Sequence, residues 1–284
     1  MDIPTSLDAV LDGYDAILCD VWGVIHNGRE HFPAAAAALT RARKRGKIVL
    51  LVSNVPKPNG PIPGQLDRLG FPRSAWDGIA TSGDAIRAEL KIRAPGPMFK
   101  IGPQEDAPLW AGLDLEFSDI AQARFVGVSG LNFDTDDDAP ENYTDTLKAA
   151  RARNLELLCA NPDIVVRIGD RLYWCAGALA RDYEALGGKV VMAGKPHPPI
   201  YALAFRELEV RAGRPIARNR VLAIGDGIPT DVEGANAQGI DCLFIAGGMQ
   251  GDALQTNGVL DPAKVTAALA AEQVQARYVM AELA

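Results

Sequence analysis

With 284 residues, 48% hydrophobic and 23% charged, the chain has the composition of an ordinary globular protein and is long enough to bury a sizeable core in one large domain or two modest ones. Its formal net charge of -7 and the lack of any basic run argue against a nucleic-acid partner, because neutralising phosphates needs a basic face. No stretch approaches the roughly 20 apolar residues of a membrane helix, and the acidic start MDIPTSLDAVLDGYD does not read as a signal peptide. The expectation is a cytoplasmic protein with a small-molecule partner and neither a nucleic-acid nor a membrane partner.

Short apolar runs bounded by turn residues recur along the chain: Ala16 to Cys19, Ile48 to Val52, Phe125 to Val128, Leu155 to Cys159, Val190 to Met192, Val221 to Ile224 and Cys242 to Ala246. Each reads as a buried strand. Helix-like segments lie between them, at Phe32 to Arg45, Asn142 to Arg153, Pro199 to Val210 and Thr230 to Gln238. Such alternation predicts an α/β fold with a doubly wound parallel sheet, helices covering both faces. Val55 to Gly64, with four prolines, reads as an irregular loop. The acidic run Asp134 to Asp138 reads as a solvated loop. Cys19, Cys159, Cys175 and Cys242 form no C-x-x-C pair and read as reduced core residues.

The informative residues stand at strand ends. In AILCDVWGVIHNG a strand runs into Asp20, and in VLAIGDGIPTDVEGANAQG another runs into Asp226, with Asp231 at the following helix start. Carboxylates there reach the carboxyl edge of a parallel sheet, where open α/β folds bind ligands. LLVSNVPKP ends a strand in Ser53 and Asn54, and VVMAGKPHPPIYALA follows a strand with Lys195. Mg²⁺ takes oxygen ligands, typically one or two carboxylates with waters and phosphate oxygens, so Asp20 and Asp226 suit its inner shell. An ionised Asp20 could also attack phosphorus. Each residue alone has a structural reading as a cap, a helix-start carboxylate or a solvated lysine. All of them on strand ends, in this order, point to phosphate chemistry.

In these motifs the chain resembles the haloacid-dehalogenase-like (HAD) superfamily, whose four motifs match Asp20, Ser53, Lys195 and the Gly225-Asp226-Gly227-x-x-x-Asp231 run in order. The long insert between the second and third motifs is similar to the α/β cap of the class IIA, NagD-like phosphatases. The resemblance implies a Rossmann-like catalytic core at 1–83 and 189–284 and an inserted α/β cap at 84–188. It implies Asp20 as nucleophile and metal ligand, the backbone carbonyl of Trp22 and Asp226 as further Mg²⁺ ligands, and Asp231 as support for the metal. Ser53, Asn54 and Lys195 would hold phosphate, with Lys195 offsetting charge in catalysis. In the cap, CANPDIVV at Cys159 to Val166 and WCAGALARDYEALGG at Trp174 to Gly188 are similar to the Asn-Pro-Asp and substrate-loop regions, which puts Asn161, Asp163 and Gly177 beside the substrate. The implied function is a Mg²⁺-dependent phosphatase of a small phosphorylated metabolite, with a homodimer as the implied assembly.

One residue departs from the pattern. Phosphatases of this superfamily usually carry a general acid two residues after the nucleophile, where this chain has Trp22. Indole cannot transfer that proton. His26 is a candidate replacement, although a role in stabilising its loop with Asn27 and Gly28 is the preferred reading. Two alternatives stay open: a hydrolase attacking carbon, as dehalogenases of the superfamily do, and a phosphometabolite-binding protein with weak turnover.

Overall fold

The computed structural model describes residues 1–131, 138–168, 171–249, 251 and 253–284. In chain order the elements are β1 (Ala16–Cys19), α1 (Pro33–Lys44), β2 (Ile48–Ser53), α2 (Ile62–Arg68), β3 (Gly78–Thr81), α3 (Ser82–Arg93), β4 (Met98–Ile101), α4 (Ala107–Trp110), β5 (Phe125–Val128), α5 (Thr144–Ala152), β6 (Glu156–Cys159), β7 (Val165–Ile168) and β8 (Arg171–Trp174). They continue with α6 (Ala176–Ala185), β9 (Lys189–Met192), α7 (Pro198–Ala212), β10 (Val221–Gly225), α8 (Glu233–Gln238), β11 (Asp241–Ile245), β12 (Gln255–Thr256), β13 (Val259–Leu260), α9 (Pro262–Ala271) and β14 (Tyr278–Met280). The chain divides into two compact units, one of 1–53, 63–80 and 201–284, the other of 54–62 and 81–200.

The first unit is built on a six-stranded sheet in the order β14-β11-β10-β1-β2-β3. Parallel pairing joins β1 to β2 and β10, β10 to β11, and β11 to β14. Every residue of β1 and β10 is buried. Such strands must be apolar throughout, because a parallel sheet with helices on both faces has no solvated side. The sequence AILC and VLAIG meets that demand. The second unit carries its own four-stranded parallel sheet, β4-β5-β6-β9, and the antiparallel hairpin β7-β8. Its core gathers Val126, Val128, Leu147, Leu157, Leu179 and Tyr183, and the Tyr183 hydroxyl donates to the Leu155 carbonyl at 2.6 Å.

The expected α/β class and all seven expected strands are present, with ends shifted by at most a residue. Additional strands are β3, β4, β7, β8 and β14, together with the two-residue pair β12-β13. Gly78-Ile79-Ala80-Thr81 and Met98-Phe99-Lys100-Ile101 lack an uninterrupted aliphatic run, so only their neighbours in the sheet make them strands. The segment Trp174 to Gly188 is mostly helix α6, with Ala176, Ala180, Leu179 and Tyr183 buried at i, i+4 spacing. One expectation is corrected. The proline-rich loop from Val55 ends at Asn59 to Pro61, because Ile62 opens α2 and Pro63 sits in its first turn, where a missing N–H costs nothing.

Of the acidic run Asp134 to Asp138 only Asp138 lies within the described residues, and it accepts a 2.8 Å hydrogen bond from the Tyr143 hydroxyl. All four cysteines are buried and outside any disulfide. Burial pushes the Cys159 thiol up to about 12, which keeps it protonated and unreactive. Among the described residues no helix is long and apolar enough to cross a membrane.

Candidate functional site

The register of two adjacent strands sets the position of the first two carboxylates. Cys19 lies opposite Ile224, and the ladder continues one step further through the Asp20 N–H, which donates to the Ile224 carbonyl at 2.8 Å. Asp20 and Asp226 therefore leave neighbouring strands at the same edge. From β1 the sheet grows through β2 and β3 on one side, and the chain re-enters beside β1 through β10 on the other. A reversal of that kind opens a crevice at the carboxyl ends of the strands.

A π turn at Ile228–Val232 brings in the third carboxylate. The Gly227 carbonyl accepts from both Asp231 N–H, at 2.8 Å, and Val232 N–H, at 3.1 Å, which widens the turn. The Asp231 side chain folds back, its Oδ2 accepting from the Gly227 N–H at 3.0 Å. Carboxylate oxygens of Asp20, Asp226 and Asp231 lie within 4.8 Å of one another, and the three residues are only 7%, 6% and 5% exposed. Two full negative charges at such a separation repel by about 3 kcal/mol or more at an effective dielectric near 20. Three such pairs would approach the whole stability of a typical domain, about 5–15 kcal/mol. A cation in their midst reverses the sign of this term.

The donors fit a hard divalent ion. All are carboxylate oxygens, the chemistry such ions prefer. Asp226 Oδ2 accepts from the Met249 N–H at 2.7 Å, and Asp231 Oδ2 accepts from the Gly227 N–H, so backbone hydrogen bonds orient both carboxylates as outer contacts orient metal ligands. Space around Asp226 depends on two glycines, since a Cβ at Gly23 or at Gly248 would come within 2.1 Å of Asp226 Oδ2. Gly248 and Met249 escaped the sequence reading. A Gly-Gly pair just past a strand at the same sheet edge was their only signal.

Trp22 is turned toward its own loop. Its indole is half-buried, meets the His26 ring edge to face at 5.0 Å and 76°, and lies so near Gly28 that a Cβ there would approach Trp22 Cη2 at 2.4 Å. His26 is buried and accepts the Gly28 N–H at Nδ1, 3.0 Å away. Accepting at Nδ1 leaves the ring proton on Nε2. Burial lowers the His26 pKa to about 4, so the imidazole is neutral at pH 7 and has no dissociable imidazolium proton to give. The geometry is that of a histidine that stabilises the loop.

The remaining expected residues divide between the two units. Ser53, buried, ends β2 in the first, and Asn54 opens the second. There Asn54 Oδ1 accepts the Lys195 N–H at 2.7 Å while Asn54 Nδ2 donates to the Lys195 carbonyl at 3.1 Å and to Asp163 Oδ1 at 2.8 Å. Lys195 is 4% exposed. Asn161 Oδ1 accepts the Asp163 N–H at 3.0 Å, and the Gly177 N–H donates to the Asp163 carbonyl at 3.1 Å. Asn54, Asn161, Asp163, Gly177 and Lys195 are thus gathered into one hydrogen-bonded group.

Comparison with known proteins agrees with this architecture. Residues 17–116 match the family model described as haloacid dehalogenase-like hydrolase, and residues 192–272 match a second, described as HAD-hydrolase-like. A crystal structure of a hydrolase of the haloacid dehalogenase-like family from Brucella suis is 43% identical, with a TM-score of 0.88 over 99% of this chain and 100% of that one. The D-glycerol 3-phosphate phosphatase of Mycobacterium tuberculosis is 26% identical over 86% of this chain, which spans 66% of that relative's length. A structure of a glycerol phosphate phosphatase from the same organism, in complex with calcium, is 25% identical with a TM-score of 0.62, covering 84% of this chain and 68% of that one.

Two outcomes test the site. Saturating Mg²⁺ or Ca²⁺ is expected to raise the unfolding temperature by several degrees, about 2.7 kcal/mol at a hundredfold excess over Kd, and Gly248→Ala to remove that rise by displacing Asp226; an unchanged rise in the variant would contradict the role given to Gly248. The second concerns His26, whose folded pKa near 4 lies below the unfolded value of 6.5. Between those values the unfolded chain binds the extra proton, so the contribution is complete above pH 6.5 and is lost as pH falls toward 4, about 3 kcal/mol in all. In chelator, denaturation midpoints of wild type should fall over that window more steeply than those of His26→Asn.

Proposed function

The chain belongs to the haloacid dehalogenase-like hydrolase family, in its class IIA, NagD-like form, and on that premise we propose that it is a Mg²⁺-dependent phosphatase of a small phosphorylated metabolite. The buried cluster of Asp20, Asp226 and Asp231 at the sheet reversal carries this reading. Asp20 attacks phosphorus and the ester oxygen leaves with the bonding pair, taking its proton from solvent; water then attacks the phosphorus of the aspartyl-phosphate, gives a proton back to solvent, and releases orthophosphate with the carboxylate restored. Asp20, Asp226 and the Trp22 carbonyl are the proposed metal ligands, and Asp231 supports Asp226 through the Gly227 turn. A bound divalent ion supplies neutralisation of the phosphate charge. Ser53 and Asn54 are proposed to hold phosphate oxygens, Lys195 to offset their charge, and the cap expected at 84–188, with Asn161 and Gly177, to choose the substrate. A phosphorylated polyol is a candidate, supported by the name of the mycobacterial relative.

Trp22 shapes the expected specificity. General acid help is worth about 10²–10⁴-fold, and neither indole nor neutral His26 supplies it. Esters whose leaving oxygen needs no proton lose least. The same feature favours a second reading, a phosphometabolite-binding protein with weak turnover, which tight binding of phosphate esters without hydrolysis would support. Attack on carbon has no use for a metal cluster of this kind, because no dianion is bound.

Initial rates on p-nitrophenyl phosphate, acetyl phosphate and glycerol 3-phosphate decide between these readings. Aryl and acyl phosphates should be hydrolysed faster than the alkyl ester, with all three rates lost in chelator and in Asp20→Asn; activity indifferent to both changes would remove the mechanism. Trp22→Asp should raise the alkyl rate relative to the aryl rate, toward about 100-fold if the new carboxyl acts as acid. An unchanged ratio would show that proton transfer is not what Trp22 withholds.

A further inference from the structure

Lys195 follows β9, and one carboxamide holds its backbone from both sides. Asn54 Oδ1 accepts its N–H at 2.7 Å and Asn54 Nδ2 donates to its carbonyl at 3.1 Å. The amide group has two hydrogens to give, and the second goes to Asp163 Oδ1 at 2.8 Å. A carboxamide turned by 180° would set its NH₂ against the Lys195 N–H and its oxygen against the Lys195 carbonyl, a mismatch at both ends. An ionised carboxylate accepts hydrogen bonds and donates none, so Asp163 selects the orientation that Lys195 requires.

Asp163 is itself tightly set. Its N–H donates to Asn161 Oδ1 at 3.0 Å and its carbonyl accepts from the Gly177 N–H at 3.1 Å. The segment Asn161-Pro162-Asp163 is wedged between two glycines. A Cβ at Gly194 would lie 2.7 Å from Pro162 Cδ and 2.6 Å from Asn54 Oδ1, and one at Gly177 would lie 2.1 Å from the Pro162 carbonyl oxygen and 2.5 Å from that of Asp163. All these residues belong to the second unit, so the link from Asn161 through Asp163 and Asn54 to Lys195 is internal to it.

We propose that Asp163 is a positioning residue for Lys195, acting through the Asn54 carboxamide, and that it does not select the substrate. The inference rests on the reading of Lys195 as the ammonium that offsets phosphate charge. Loss of the carboxylate frees the amide to rotate, the Lys195 backbone loosens, and the ammonium is held less accurately. Every phosphate ester presents the same phosphoryl group, so the loss is common to all of them. A residue that selects substrate would instead change their order.

The test compares Asp163→Ala and Asp163→Asn with wild type. Asp163→Ala should lower kcat/KM by roughly 10- to 100-fold, by one common factor across aryl, acyl and alkyl phosphates, and raise the inhibition constant of orthophosphate in parallel. Hydrogen exchange at the Lys195 amide should quicken. Asp163→Asn keeps an oxygen acceptor for Asn54 Nδ2 and should recover most of the loss. In a Lys195→Ala background the alanine change at 163 should add almost nothing. Should Asp163→Ala fold poorly, Asn161→Ala removes the acceptor of the Asp163 N–H, and with amide exchange as its readout it should quicken exchange at Lys195 less far. A reordered substrate series, unaltered Lys195 exchange or full additivity with Lys195→Ala would each overturn the proposal. If wild type hydrolysed no phosphate ester, the phosphatase reading would fail by itself, and amide exchange would still decide whether Asp163 holds Lys195.

Discussion

Mutual repulsion among three buried carboxylates is the constraint around which the first unit is organised. Asp20 follows one strand, and Asp226 and Asp231 come from the end of a second strand and the π turn after it. The parallel register of β1 and β10 sets the spacing of the first two, and a π turn returns the third. That arrangement costs stability unless a cation offsets it, so the sheet edge is strained toward binding one. Backbone N–H groups of Gly227 and Met249 each donate to one carboxylate oxygen, the ordinary way in which outer hydrogen bonds orient metal ligands.

The same loop that supplies Asp20 has given up a proton donor. Trp22, His26 and Gly28 pack on one another, with a neutral imidazole accepting a backbone hydrogen bond. An aspartate at 22 would bring a further negative charge next to the cluster and would have to be kept protonated to act as acid. Indole adds no charge and gains packing area. What it forfeits, under the proposed mechanism, is a proton for the leaving group.

In the second unit the Asn54 carboxamide has the opposite character: its oxygen and both amide hydrogens are matched, and glycines at 177 and 194 let the backbone close on this group. Satisfied polar groups of this kind rigidify what they hold. Lys195 owes its fixed backbone to side chains distant in sequence, from positions 54 and 163. Sequence similarity to the cap's Asn-Pro-Asp region suggested contact with substrate for Asp163, whose Oδ1 accepts a hydrogen bond from the Asn54 amide.

Much of the fold was legible in the sequence because buried parallel strands must be apolar throughout. All seven strands expected from such runs are there, and the α/β class with them. Strands lacking that signal, such as Gly78–Thr81, exist because neighbours complete their hydrogen bonds, a nonlocal cause that no window of sequence contains. The order of Asp20, Ser53, Lys195, Asp226 and Asp231 on strand ends was likewise readable, since residue type and strand position follow from local pattern. Only tertiary structure could decide that the three aspartates share one pocket of charge, that Gly23 and Gly248 make room for Asp226, and that the Asn54 amide is committed to Lys195 and Asp163. Those facts depend on distances between residues up to 211 positions apart, which pairing register and packing set and local sequence does not encode.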